Sequence, residues 1–141
     1  AGIPFVVGVS GGHPGRRDEE SEMTRYLISF DRGWMVFPDD ELPDVAKAAH
    51  DVVQQTVDAG VFVFGGGIED DAATTLVAVD GAITDGPYPE TKEQIGGFIV
   101  VDVASREAAL EWAAKVAVAC RCAQEVREIM DDPTVDMWLD A

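Results

Sequence analysis

The segment Asp85-Gly86-Pro87-Tyr88-Pro89-Glu90-Thr91-Lys92-Glu93-Gln94-Ile95-Gly96-Gly97-Phe98 gathers most of the side chains able to move a proton or hold a charged group. Asp85 stands where a strand would end, and a carboxylate partly withdrawn from water there suits a general base. The other reading is a turn-capping Asp that accepts backbone N–H groups. Lys92, between Glu90 and Glu93, can stabilise an enolate-like oxyanion or bind a substrate carboxylate; alternatively it braces the loop or a dimer through an ion pair. Tyr88 and Glu90 offer a hydroxyl and a carboxylate for substrate contacts, with simple packing the alternative for Tyr88. Of the two histidines, His13 and His50, only His50 falls in the regular part of the chain. Imidazole is the side chain that exchanges a proton near neutrality, so His50 joins Asp85 and Lys92 as a candidate catalytic acid or base; a histidine at the boundary of a packed face is the competing account.

Other chemistries lack their residues. Gly65-Gly66-Gly67 has neither the lysine of a P-loop nor the spacing of a dinucleotide fingerprint. Glu69, Asp70 and Asp71 cluster without a patterned set of metal ligands. Cys120 and Cys122 are too few for a structural zinc site or a disulfide framework, and read as plain buried thiols of a reducing compartment. No Gly-x-Ser-x-Gly elbow is present. The expectation is a protein without cofactor or metal.

These side chains need elements to position them. The 141 residues are about one domain's length and enough for a single core. Tyr26, Ile28 and Phe30 alternate with Arg25, Leu27 and Ser29, the period of a strand. Acidic Asp39, Asp40 and Glu41 with Pro43 in the first turn open a helix that Gly60 closes. Its inward stripe is Leu42, Val45, Ala46, Ala49, Val52, Val53 and Val57, with His50 at the edge. Val61 to Phe64 reads as a buried strand ending at the glycines in a turn or bulge. Thr74 to Val79, Asp80-Gly81 and Ala82 to Thr84 form a hairpin pattern. Phe98 to Val103 is the next strand, with Gly96-Gly97 allowing a bulge or close approach as it starts. Ser105 caps a second helix carrying Ala109, Leu110, Trp112, Ala113, Val116 and Ala117, and Ala123 to Ile129 is the last strand. The order is β-α-β-β-α-β, an α+β ferredoxin-like fold with an antiparallel sheet and both helices on one face.

Domain organisation follows the change in texture. Residues 1–22 read as an N-terminal extension or a vector-derived arm whose Phe5–Val9 stretch could add an edge strand, with Met23 as a start. Residues 23–130 are the domain and 131–141 an acidic tail with an exposed Trp138.

The segment from Asp85 to Phe98 resembles the DGPF branch of the YCII-related family, whose hallmark runs D-G-P-F/Y-x-E-T/S-K-E-x-L/I-G-G-F/Y. The similarity extends from MTRYLISF at Met23, through Asp58-Ala59-Gly60, to the stretch Ala108–Trp112 and on to Ile129. The resemblance implies a ferredoxin-like domain in its dimeric α/β-barrel form and a largely uncharacterised activity. YCII-like relatives include a small dechlorinating lyase-type enzyme with a His and Asp pair; counted from the Asp58-Ala59-Gly60 turn, that histidine falls on Ala49, beside His50. DGPF members are often encoded next to alternative sigma factors.

Charge narrows the partners. With 27 acidic against 10 basic residues the net charge is −17, which repels nucleic acid and anionic lipid. No apolar run spans a bilayer and Ile3–Val9 lacks a basic flank, so the expected location is the cytoplasm. Apolar residues on both faces of several strands predict a homodimer through the sheet faces. Two functions stand: a small-molecule site in a helix–sheet cleft, in a cofactor-independent lyase or isomerase; or a non-catalytic regulatory module whose acidic surface binds a basic partner, for example a sigma-factor-like regulator.

Overall fold

The computed structural model describes residues 23–69, 74–85 and 94–139. The arm with its Phe5–Val9 stretch, Asp70 and Asp71, the side chain of Asp85, and Tyr88, Glu90 and Lys92 lie outside the described residues.

Strand β1 (Thr24–Asp31) follows the predicted alternation, with Tyr26 and Ile28 buried. It is central in a four-stranded sheet of order β2-β5-β1-β6, formed with β2 (Phe62–Gly67), β5 (Ile95–Val103) and β6 (Glu125–Glu128). Every pair is antiparallel. Helix α1 (Leu42–Asp58) connects β1 to β2, and α2 (Arg106–Cys120) connects β5 to β6. This is the ferredoxin-like α+β arrangement that the element order implies.

The termini of both helices form for local reasons. A 3-10 turn over Asp39–Glu41 leads into α1, Pro43 occupies the first turn, and Gly60 takes φ +76° to reverse the chain. Such a φ strains any residue with a Cβ, so glycine ends the helix. Ser105 Oγ accepts the Ala108 N–H at 3.1 Å and caps α2. The core lies between this helical layer and the sheet: Tyr26, Ile28, Ile99, Val101 and Val103 meet Ala109 and Ala113, whose small side chains let α2 approach closely.

Five features depart from the sequence reading. On α1 the buried stripe is Val45, Val52 and Thr56, whereas Leu42 is 55% and Val57 37% exposed. Both lie near the helix ends, and Thr56 is buried with its hydroxyl donating to the Val53 carbonyl at 2.6 Å. On α2, Leu110 is exposed while Ala119 and Cys120 are buried. The glycine run does not end β2 but belongs to it, and the irregularity falls earlier: Phe62 opposes Val101 while Phe64 opposes Val100. That bulge turns the two rings to opposite faces, Phe62 against the core and Phe64 outward. The hairpin β3 (Thr75–Val77) and β4 (Ile83–Asp85) forms a separate two-stranded sheet. Its turn has Gly81 at φ +91° and Asp80 Oδ1 accepting the Ala82 N–H at 2.9 Å.

The fifth is at the C-terminus, where Pro133–Leu139 form a short helix, α3. Asp132 Oδ1 accepts the Val135 N–H at 3.3 Å and Pro133 follows at the first helical position, so two residues that read as tail composition are a cap and a helix start. Arg25 pairs with Asp136 at 2.5 Å, both side chains largely buried. Arg25 lies on the sheet face opposite Tyr26, so α3 covers one corner of the face that the sequence left bare. Trp138 remains exposed at its end.

Candidate functional site

Between α1 and the sheet lies a cavity of about 470 Å³. Its origin is the mismatch between a long helix and a sheet poor in side chains at one end. Val45, Ala46, Ala49 and Val53 of α1 form one wall, and Ile28, Phe30 and Ile99 form the facing one. Gly65–Gly67 of β2 and Gly96–Gly97 of β5 line the same space with backbone alone, so there is volume where side chains would have filled the layer.

Gly65 and Gly97 are also required by neighbouring strands. A Cβ on Gly65 would lie 2.8 Å from the Phe98 carbonyl oxygen, and one on Gly97 would lie 2.9 Å from the Phe30 ring. Gly96 is the extra residue of a bulge, since Phe30 opposes Gly97 while Asp31 opposes Ile95. The close approach and the bulge expected of the Gly96-Gly97 pair are both present.

His50 lines the cavity from α1 and keeps contact with solvent; Ala49 lines it too, so both helix positions raised by the sequence face the same space. Cys120 and Gln124 line it from the end of α2 and the connection to β6. Cys120 is buried and Cys122 half-buried, and both are free thiols. Burial pushes the Cys120 thiol up. Burial, then the neighbouring Cys120, push Cys122 up to about 11, against a smaller opposing effect of the Gln124 amide hydrogen bond. Burial thus favours the protonated form of both thiols at neutral pH, which makes them poor nucleophiles.

Gln124 and Cys120 were not among the candidates from sequence. No local signal marks them, because they reach the cavity only through the packing of α2 beside α1. That contact is fastened at one end by Arg121, the left-handed residue that closes α2, whose guanidinium pairs with Glu41 and lies 5.8 Å from the Phe37 ring centroid.

Of the candidates, the structure places His50 at the cavity and the Asp85 backbone at the end of β4. The side chains of Asp85, Tyr88, Glu90 and Lys92 lie outside the described residues. Gln94, where the described chain resumes, is held by three hydrogen bonds. Gln94 accepts the Arg32 N–H through its carbonyl at 2.8 Å, donates its own N–H to Asp31 Oδ2 at 3.2 Å, and receives Arg32 on its side-chain oxygen at 2.9 Å. Two residues later Gly96 lines the cavity. Among the described residues no cluster of His, Cys, Asp and Glu could hold a metal ion, and no helix is long and apolar enough to cross a membrane.

The sequence matches the YCII-related domain over residues 35–132, from the loop after β1 to the start of α3. The chain belongs to the YCII-related family. The match spans α1, both sheets' later strands and α2, and therefore every element that walls the cavity except β1. Comparison with curated proteins gives no match.

Proposed function

We propose that this YCII-related protein binds a small, largely apolar molecule in the cavity between α1 and the sheet and transfers a proton on it, as a cofactor-independent lyase or isomerase. The observation that carries the reading is the 470 Å³ cavity itself, walled by aliphatic side chains and shared by one imidazole, His50. Apolar walls bind the body of a ligand, and a few polar groups orient it.

In this reading His50 is the acid or base from α1. Asp85 and Lys92 act as base and oxyanion stabiliser, with Tyr88 and Glu90 as further substrate contacts. Their inclusion is supported by the anchoring of Gln94 to Asp31 and Arg32, two residues before the cavity-lining Gly96. The protein acts as a homodimer through the outer sheet face, a reading supported by the tilted pair Phe64 and Phe98, 5.9 Å between centroids, with Phe64 57% exposed.

A thermal-shift screen of the whole protein against small metabolites tests the reading. A ligand at 100 times its Kd adds about 2.7 kcal/mol to the folded state, a shift of several degrees. Ala46→Trp, which fills the cavity from α1, should abolish that shift; His50→Ala, Asp85→Asn and Lys92→Met should keep binding within about tenfold while turnover falls by about a hundredfold or more. A shift that survives Ala46→Trp places binding elsewhere. A broad library without any shift moves the assignment to the partner-binding module.

A further inference from the structure

We infer that Gly67 sets the breadth of the cavity's ligand: its missing side chain keeps the open end wide, and the molecule bound is a mainly apolar one as broad as a saturated ring rather than as narrow as an unbranched chain. This rests on the small-molecule reading above and adds the residue that selects among such molecules.

The direction of Gly67 follows from register. Gly65 opposes Ile99 and Gly67 opposes Gly97 on β5, while Gly97 opposes Phe30 on β1. Residues opposite one another in a sheet share a face, as do residues two apart on one strand. Ile99 belongs to the core and Phe30 lines the cavity, so Gly65, Gly67 and Gly97 all face the helical layer. Their surroundings differ. A Cβ at Gly97 would meet the Phe30 ring at 2.9 Å, and one at Gly65 the Phe98 carbonyl oxygen at 2.8 Å. At Gly67 nothing among the described residues lies within 4 Å of that point. Nor does the backbone demand glycine there, since the described glycines with positive φ are Gly60 and Gly81. Neither packing nor backbone calls for glycine at 67; its effect is to leave volume.

That volume belongs to the mouth. Gly67 is exposed, as is Leu42 in the first turn of α1, and both line the cavity, whereas Ile28, Ile99 and Val52 line it from the buried interior. Just past Gly67, the Ile68 N–H donates to the Gly96 carbonyl at 2.9 Å, which holds this rim of β2 on β5. A side chain at 67 would therefore project from a fixed strand into the opening. Val53, Phe62 and Val116 favour an apolar body for whatever passes it.

Two alcohols alike in carbon count and polar group but different in breadth, n-octanol and cyclooctanol, test this by calorimetric titration into the full protein. The wild type should bind cyclooctanol at least as tightly as n-octanol, because the ring has less conformational freedom to lose. Gly67→Val should weaken cyclooctanol by about tenfold or more, the effect of a methylene-sized misfit in an apolar pocket, and n-octanol by less than about threefold. Gly67→Ala should act in the same sense to a smaller degree, and either variant serves if the other fails to fold. Equal weakening of both alcohols, no weakening of either, or a wild type that binds n-octanol and refuses cyclooctanol overturns the role of Gly67 and leaves the cavity reading intact. Failure of both alcohols to bind the wild type overturns the cavity reading and this inference with it.

Discussion

At the scale of single residues, the two cysteines show how place decides chemistry. Their C-x-C spacing reads as a pair of plain buried thiols, and burial favours the protonated form of both. The consequence for stability has a definite sign. The folded-state pKa of Cys122, about 11, lies above that of an exposed thiol, so between about pH 9 and 11 the unfolded chain loses a proton that the folded chain keeps. The stabilisation is complete below that window and lost as pH rises through it. Denaturant titrations across the window should show stability falling with pH, and Cys122→Ser should flatten the slope. At pH 7.5 Cys122 should also alkylate far more slowly than a free thiol; equal rates would contradict the burial described. His50 differs from the thiols in facing both cavity and solvent, which is what a proton-exchanging group requires.

At the scale of elements, the glycines of β2 separate by what surrounds them. Gly65 crosses β5 so closely that a methyl group would meet backbone, and the Phe98 carbonyl cannot swing aside as a side chain could. Gly66 has nothing within 4 Å of its Cβ position. Gly65→Ala should therefore cost about 1–3 kcal/mol as overpacking, while Gly66→Ala should be neutral or gain up to about 1 kcal/mol from reduced backbone freedom. Equal effects in chemical denaturation would mean that the register of β2 on β5 is different. The same contrast explains what could be read beforehand. A run of three glycines announces unusual backbone, but whether it makes a turn or a close crossing depends on the partner strand. Alternation in β1, the Ser105 cap and the Gly60 terminus were legible because each is decided within a few residues. The short α3 was masked by composition: four aspartates read as solvated tail, and only Arg25 on the sheet gives Asp136 a partner.

At the scale of the whole molecule, a net charge of −17 opposes self-association, while the exposed Phe64 and its neighbours on the outer sheet face favour it. Repulsion between two such chains is screened as the Debye length falls from about 10 Å at 0.1 M salt to about 3 Å at 1 M, whereas apolar burial is not. Sedimentation of the proposed homodimer should therefore show tighter association at high salt, and Phe64→Glu should shift the protein to monomer without unfolding it. A monomer at micromolar concentration in all salts would exclude the sheet-face dimer. The acidic surface also speaks against nucleic acid as a partner, by the same electrostatics.

The sequence by itself determined the α+β class, the order of the main elements, most of the inward-facing residues and, through the Asp85–Phe98 motif, the family. These follow from periodicity, caps and turn residues, which act over a few positions of the chain. Only the tertiary structure decided that Phe62 and Phe64 face opposite ways, that the hairpin stands apart from the main sheet, and that His50, Cys120 and Gln124 share one cavity. Residues 70 positions apart meet there because two helices cross the same sheet, and no local pattern encodes the space left where glycines stand opposite a helix.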